Sequence, residues 1–253
     1  MRKTAVFGDI HGNSDLLKKL LMNIKSEFGD IDIWSCGDLI DRGPDSKGVL
    51  DLCIENNIKT VRGNHDSWVL DLLTEQYFVP KAIRSMGGLK TIESYMVDWR
   101  SIIRDKDDID GWASVASELL NNMPNEHISY FLNMYDVGYL NYPNKNFWIF
   151  HAGLTYENAL LFDNNDGEFN MVKRFSEKEP DELVWCRPSF RRKNDNLFHF
   201  ENGIQIFGHS YTELPVVREH FIALDTIGGG QEDNWTLSAV ILPEIEIIQV
   251  KDS

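Results

Sequence analysis

Short apolar runs recur along the chain, and several stop at a glycine followed by polar residues. The run Thr4–Phe7 leads into Gly8-Asp9, 31–36 into Gly37-Asp38, and 59–62 into Gly63-Asn64. Two more follow, 147–150 before His151-Ala152-Gly153 and 204–207 before Gly208-His209. Apolar runs of about four to six residues bounded by glycine predict buried strands. Helical spacing separates the first three. Over 14–27, Leu16, Leu17, Leu20 and Leu21 recur at helical intervals behind Asn13 or Ser14 as N-cap. Over 46–56, Val49, Leu50, Leu52 and Cys53 do the same. Strand and helix in alternation predict βαβ units with right-handed crossovers, and hence an α/β fold.

Residues 67–145 break this rhythm. Helical signals at 68–73, 88–95, 115–120 and 126–134 are separated by charged breaks such as 104–110, which predicts a mostly helical insertion beside the sheet. Alternating apolar residues return at 221–224 and 237–250, with a turn at Gly228-Gly229-Gly230. No repeat or linker divides the chain, and 1–253 reads as one domain carrying that insertion.

Composition narrows the function. The 253 residues are 42% hydrophobic, enough for a substantial core. Mean hydropathy is -0.32. No apolar stretch approaches the ~20 residues a membrane helix needs, and the first residues run into a core strand without a secretion signal. A cytoplasmic location is therefore expected. The odd set Cys36, Cys53 and Cys186 lacks zinc-like spacing and reads as small buried residues in a reducing compartment. A net charge of -15 argues against general nucleic-acid binding. It leaves room for a phosphorylated substrate, because cations and a few arginines create a local positive pocket.

Candidate chemistry collects just past the predicted strands. Asp9 and His11, Asp38, Asn64, His151 and His209 each follow one of the five apolar runs. Ligands of open α/β sheets bind beyond the carboxyl ends of strands, so five segments converge on one place. Mixed carboxylate, amide and imidazole donors suit Mn, Fe or Zn better than Mg alone. Their number suits two ions if one carboxylate bridges.

Each Gly-Asp turn alone is an ordinary loop, and a lone histidine is usually a satisfied core residue. The order and spacing of Gly8-Asp9-Ile10-His11-Gly12-Asn13, Gly37-Asp38-Leu39-Ile40-Asp41-Arg42-Gly43 and Arg62-Gly63-Asn64-His65-Asp66 change that weighting. These strings resemble the signature blocks of the metallophosphoesterase superfamily, in the version found in PPP-type serine/threonine phosphatases. The small bacterial and phage phosphatases of the lambda type resemble the chain most, and the symmetrical diadenosine tetraphosphatases are similar as well. Echoes follow at Phe150-His151-Ala152-Gly153, Val184-Trp185-Cys186-Arg187, Gly208-His209-Ser210 and Leu224-Asp225-Thr226.

The resemblance implies a four-layer αββα sandwich of two mixed sheets with the metals at one edge. It implies that Asp9, His11 and Asp38 hold one divalent ion, and that Asp38, Asn64, His151 and His209 hold the second. Mn2+ is the leading choice, with Fe, Zn, Ni or Mg as alternatives. His65 matches the proton donor to the leaving group, Asp41 the carboxylate that orients it, and Arg42, Arg62 and Arg187 the phosphate-gripping arginines. Arg191 and Arg192 lie close to the last of these. Two positions depart from the PPP pattern: Asp66 stands where Glu is usual, and Ser210 where Thr is usual.

The leading expectation is hydrolysis of phosphoserine, phosphothreonine and aryl phosphomonoesters by in-line attack of water held between two ions. The alternative is cleavage of a phosphoanhydride in a dinucleoside tetraphosphate or an RNA end. Phosphorylated protein, peptide or nucleotide would be the partner. A non-catalytic module that keeps only the fold would lack ligands or the acid, yet all these positions are filled. His127, His199 and His220 lie outside the blocks, and Trp68, Trp99 and Trp112 read as packing within the insertion. The charged stretches 105–108 and 177–179 read as solvated loops.

Overall fold

In the first strand, β1 (Thr4–Phe7), side-chain alternation builds two layers at once. Ala5 and Phe7 join a core with the helices, while Val6 faces a second core. Successive strand side chains point to opposite faces, so an entirely apolar strand needs a cover on both. The structure is a computed structural model and describes residues 2–75, 78–159, 181–190, 196–227 and 235–252.

On one side the cover is helical. In α1 (Ser14–Phe28), Leu16, Leu17, Leu20, Leu21 and Ile24 are buried, and the Asn13 side chain accepts from the Leu16 amide. In α2 (Ser46–Glu55), Asp45 caps by accepting from the Gly48 amide. An N-cap acceptor of this kind satisfies one of the four unpaired amides at a helix start. These helices alternate with β1, β2 (Asp32–Ser35) and β3 (Lys59–Thr60), whose mutual pairing is parallel. The predicted βαβ units are present, although the strands at 31–36 and 59–62 are shorter than expected.

Six helices follow: α3 (Asn64–Glu75), α4 (Pro80–Met86), α5 (Leu89–Ser94), α6 (Trp99–Ile102), α7 (Ile109–Asn122) and α8 (Asn125–Leu132). The insertion is thus helical, but it does not run to 145. Gly138–Tyr142 form β4, hydrogen-bonded antiparallel to β5 (Lys145–Ile149) across a Pro143-Asn144 turn. Its alternation of buried and exposed residues, with Gly138 and Tyr142 buried, is that of an edge strand with one face covered. The helical expectation for its neighbours masked this signal.

The chain continues through short α9 (Tyr156–Ala159) and α10 (Asp181–Trp185) to β6 (Gly203–Phe207), β7 (Val216–Val217) and β8 (Phe221–Ala223). It then returns as the hairpin β9 (Thr236–Leu242) and β10 (Glu246–Lys251). The two five-stranded sheets have the orders β10-β9-β1-β2-β3 and β4-β5-β6-β8-β7. Both are mixed: β1 pairs β9 antiparallel, whereas β5, β6 and β8 pair parallel.

Val6, Trp34, Cys36 and Val240 from the first sheet share one core with Phe147, Ile149, Ile204, Ile206 and Ile222 from the second. That contact makes the central ββ layer of the αββα sandwich. The outer face of the second sheet packs Phe150, Phe207 and Phe221 under Leu154, Leu183, Phe190 and Leu197. Cys36 and Cys53 are buried as expected, while Cys186 is only half-buried. The expected turn at Gly228-Gly229-Gly230 and the residues 177–179, Arg191 and Arg192 lie outside the described residues. Among the described residues no helix is long and apolar enough to cross a membrane.

Candidate metal centre and active site

β1, β2, β3, β5 and β6 end at one edge of the sandwich, and the segments beyond them carry the candidate side chains. Backbone conformation there is unusual. His11, Asp38, Asp41, Arg42 and His209 all have positive φ, making five of the nine non-glycine residues so placed among the described residues. Such conformations cost energy for residues with a Cβ and persist where the surroundings fix them. Two glycines explain how the turns fit together. A Cβ on Gly63 would collide with the Asp38 carboxylate and backbone, and one on Gly208 would collide with the Asp9 carboxylate.

Asp9, His11, Asp38, Asn64, His65, His151 and His209 are all buried. Ligating atoms of His11, Asp38 and His65 lie within 4.8 Å of one another, as do those of Asp38, His151 and His209. Asp38 belongs to both groups, which is the placement a bridging carboxylate requires. Asp9 stands slightly back, with Oδ2 3.9 Å from His11 Nε2 and its carboxylate accepting from the His209 amide at 3.0 Å.

Hydrogen bonding fixes the imidazoles. Nδ1 of His151 donates to the Cys36 carbonyl at 2.8 Å, and Nδ1 of His11 donates to the Ile40 carbonyl at 3.0 Å. In the neutral rings, each Nε2 then carries a lone pair pointing into the cluster. His151 Nε2 lies 2.9 Å from Asn64 Oδ1 and 3.4 Å from Asp38 Oδ1, and His209 Nδ1 lies 2.8 Å from Asn64 Oδ1. Acceptors converge here with too few protons among them, an arrangement that a cation relieves. The donor set therefore fits divalent metal ions, with imidazole tautomers already set by their outer hydrogen bonds.

Charge states agree with this fit. Burial pushes His11, His151 and His209 down, the last to about 3, so all three are neutral as ligation requires. Burial alone would raise Asp38, but the surrounding His151, His65, His11 and His209 hold it below the ordinary carboxylate range. Asp9 is pushed well up by burial, then by the charges of Asp225 and Asp38.

His65 lies beside this cluster. Its Nδ1 is 2.8 Å from Asp41 Oδ2, and its Nε2 is 3.0 Å from Arg42 Nη2. Burial lowers its pKa, but Asp38 and Asp41 outweigh that and hold it above the ordinary value. Arg187 reaches the His209 carbonyl at 3.4 Å. Arg62 instead meets Asp136 at 3.3 Å, with its Nε buried and unpartnered. The structure thus brings Arg42 and Arg187 to the cluster and turns Arg62 toward an acidic neighbour.

A family comparison identifies the scaffold. The calcineurin-like phosphoesterase family matches residues 2–213. The chain belongs to that family. A relative named symmetrical bis(5'-nucleosyl)-tetraphosphatase, from Neisseria meningitidis, is 30% identical over 96% of the chain and 94% of its own length. Serine/threonine-protein phosphatase 1 of Salmonella typhimurium is 46% identical, but over only 70 residues, 28% of the chain and 32% of that relative. Among solved structures, one provisionally named a diadenosine tetraphosphatase aligns with TM-score 0.61 and 20% identity, covering all of this chain and 94% of its own. A cold-active protein-tyrosine phosphatase of a psychrophilic Shewanella aligns with TM-score 0.55 and 17% identity, covering all of this chain and 80% of its own. Both share the fold of this chain.

Within that fold, several residues matter that the motifs alone did not reveal. Asp66 accepts from three backbone amides, those of Asp38 and Gly63 at 2.8 and 2.9 Å and of Leu39 at 3.0 Å. It thereby clamps the Asp38 turn against the Asn64 turn, a task for which the shorter Asp side chain suffices. Trp68 is more than packing: its indole N–H donates to Asp41 at 3.2 Å. It stands one helical turn after His65 on α3, where i and i+3 share a face. Thr91 Oγ1 donates to Asp41 Oδ1 at 2.7 Å and accepts from the Asp41 amide at 2.9 Å. Nothing in the sequence marks Thr91, which α5 delivers from the insertion. His127 is bound between the Tyr95 hydroxyl at 2.7 Å and Asp51 at 2.9 Å, well served by packing contacts.

Proposed function

We propose that this metallophosphoesterase cleaves a phosphoanhydride in a dinucleoside polyphosphate, rather than acting chiefly on phosphoserine or phosphothreonine. The observation that carries the substrate class is the reach of the similarity. It extends end to end in relatives named symmetrical tetraphosphatases, and stops at 70 residues in the serine/threonine phosphatase. The protein-phosphatase expectation rested on the first three blocks, which surround the metal cluster and serve either substrate.

Asp9, His11 and Asp38 would hold one divalent ion, and Asp38, Asn64, His151 and His209 the other. Bound ions would supply a water acidic enough to act as nucleophile near neutral pH and positive charge for the phosphoryl oxygens. The chain's own residues do the rest. Arg42, beside His65, and Arg187, beside His209, present planar donors to phosphate oxygens, with Arg62 entering only if it leaves Asp136. Asp41 holds the Nδ1 proton of His65, which leaves Nε2 to carry a proton to the departing oxygen. The leaving nucleoside diphosphate is a far weaker base than an alkoxide, so this proton matters less for an anhydride than for an ester.

The test uses chelator-stripped protein with Mn2+ restored, offered diadenosine tetraphosphate, a phosphopeptide and para-nitrophenyl phosphate in parallel. ADP as the sole nucleotide product, formed faster than phosphate is released from the peptide, is the expected result. Peptide turnover exceeding ADP release would return the reading to protein phosphatase.

A further inference from the structure

Asp225 is the one carboxylate at this edge with no assigned task. It follows β8, in the sequence Leu224-Asp225-Thr226, and is 4% exposed. Its Oδ1 is fully buried and has no hydrogen-bond partner. A buried carboxylate oxygen left without a donor costs a substantial fraction of its desolvation energy, so its retention requires a compensating charge or donor.

The backbone places this side chain beside the first ion's ligands. A Cβ on Gly8 would collide with the Leu224 carbonyl, so the ends of β1 and β8 approach with nothing between them. Asp9 and Asp225 are the next residues on either side of that contact. Cross-chain bonds hold the neighbourhood rigid: the Thr212 amide donates to the Asp225 carbonyl at 2.8 Å, and the Leu224 amide to Phe207 at 2.8 Å. Thr226 Oγ1 contacts Ser238 Oγ at 2.6 Å. The Asp225 carbonyl is therefore engaged while one side-chain oxygen is kept free.

We propose that Asp225 is a further acidic partner of the cation held at Asp9 and His11. Its free oxygen would supply negative charge to that ion and raise its affinity without belonging to the main ligand set. This rests on the metal-centre reading above. A positioning group of this kind typically changes metal affinity by about 10–100-fold when removed. The second ion, at Asn64, His151 and His209, serves as an internal reference, since the turn that Asp225 borders most closely is that of Asp9.

The experiment is calorimetric titration of Mn2+ into chelator-stripped wild type, Asp225→Asn and Asp225→Ala, with metal content counted after dialysis and metal-free melting temperature measured alongside. Both variants are expected to weaken one of two sites by about 10–100-fold and leave the other within about twofold. Equal weakening of both sites, or of neither, would overturn the proposal and leave Asp225 a structural residue. Should one variant fail to fold, the other carries the comparison. A wild type that binds fewer than two ions would instead refute the two-metal reading itself, a result distinguishable from retained binding in the variants.

Discussion

At the level of single residues, Asp38 and His65 occupy the positions with the sharpest consequences. Asp38 contributes to both three-residue groups, and its Oδ1 also accepts from the His65 amide at 2.9 Å. Asp38→Asn is expected to abolish tight binding of both ions, because the amide cannot bridge them with negative charge. Two ions retained through dialysis, measured by elemental analysis, would refute the shared-ligand role. His65→Asn is expected to leave metal content unchanged while slowing esters of poor leaving groups by roughly the 10²–10⁴-fold typical of general acids. Its effect on diadenosine tetraphosphate should be clearly smaller. Equal losses on ester and anhydride, measured as kcat, would count against His65 as proton donor to the leaving oxygen.

At the level of elements, the helical insertion and the metal edge are mechanically joined. α5 places Thr91 against Asp41, and the Gly87 carbonyl ahead of α5 accepts from the Arg42 amide at 3.2 Å. α3 contributes Asn64, His65, Asp66 and Trp68 within its first two turns. The insertion therefore carries half of the Asp41 cradle. Replacing Thr91 by Val keeps the shape and removes both hydroxyl bonds to Asp41 and a third to Ser46, leaving a buried carboxylate underserved. A loss of about 1–3 kcal/mol in stability is expected. A fall in kcat with little change in KM should accompany it, since the substrate does not meet Thr91. Denaturant melts and steady-state kinetics check the two parts, and an unchanged kcat would limit Thr91 to a structural bond.

At the level of the whole molecule, stability, metal and pH are linked. Asp225 is pushed up to about 6 and Asp66 to about 7, first by burial and then by the charge of Asp38. Each keeps its proton in the folded, metal-free chain in a range where the unfolded chain has lost it, the ordinary value being about 4. The folded state binds more protons there, so this contribution is complete below about pH 4 and is lost as pH rises through 6 and 7. Asp38, held low, runs the other way and favours the folded state above about pH 4, and so do His11, His151 and His209, which burial keeps neutral, as pH rises past their ordinary value of about 6.5. Saturating Mn2+ should raise the melting temperature and more so at the higher pH, because protons on Asp9 and Asp225 no longer compete with the ion. Scanning calorimetry with and without chelator tests this, and a Mn2+-induced rise in melting temperature no larger at pH 8 than at pH 5 would contradict it.

The chain announced much of this in one dimension. Apolar runs ending in Gly-Asp, Gly-Asn, His-Ala-Gly and Gly-His foretold β1, β2, β3, β5 and β6 and which side chains would stand past them, because alternation and turn chemistry are local. The same logic predicted α1 and α2 and recovered the insertion as helical, but it lost β4, whose five residues pair only with a strand that follows. The hydrogen-bonding tasks of Asp66, Trp68 and Thr91 were illegible for the same reason: each depends on a partner between 27 and 50 positions away that only folding supplies, as with the 50-residue span from Asp41 to Thr91. The turn toward Asp136 that occupies Arg62 is another such partnership, 74 positions apart. The sequence by itself determined the donor types, their order and the strand ends that present them. Tertiary structure alone decided which atoms share a site, which imidazole nitrogen faces inward and which carboxylate keeps an unpartnered oxygen, since those depend on distances across two sheets.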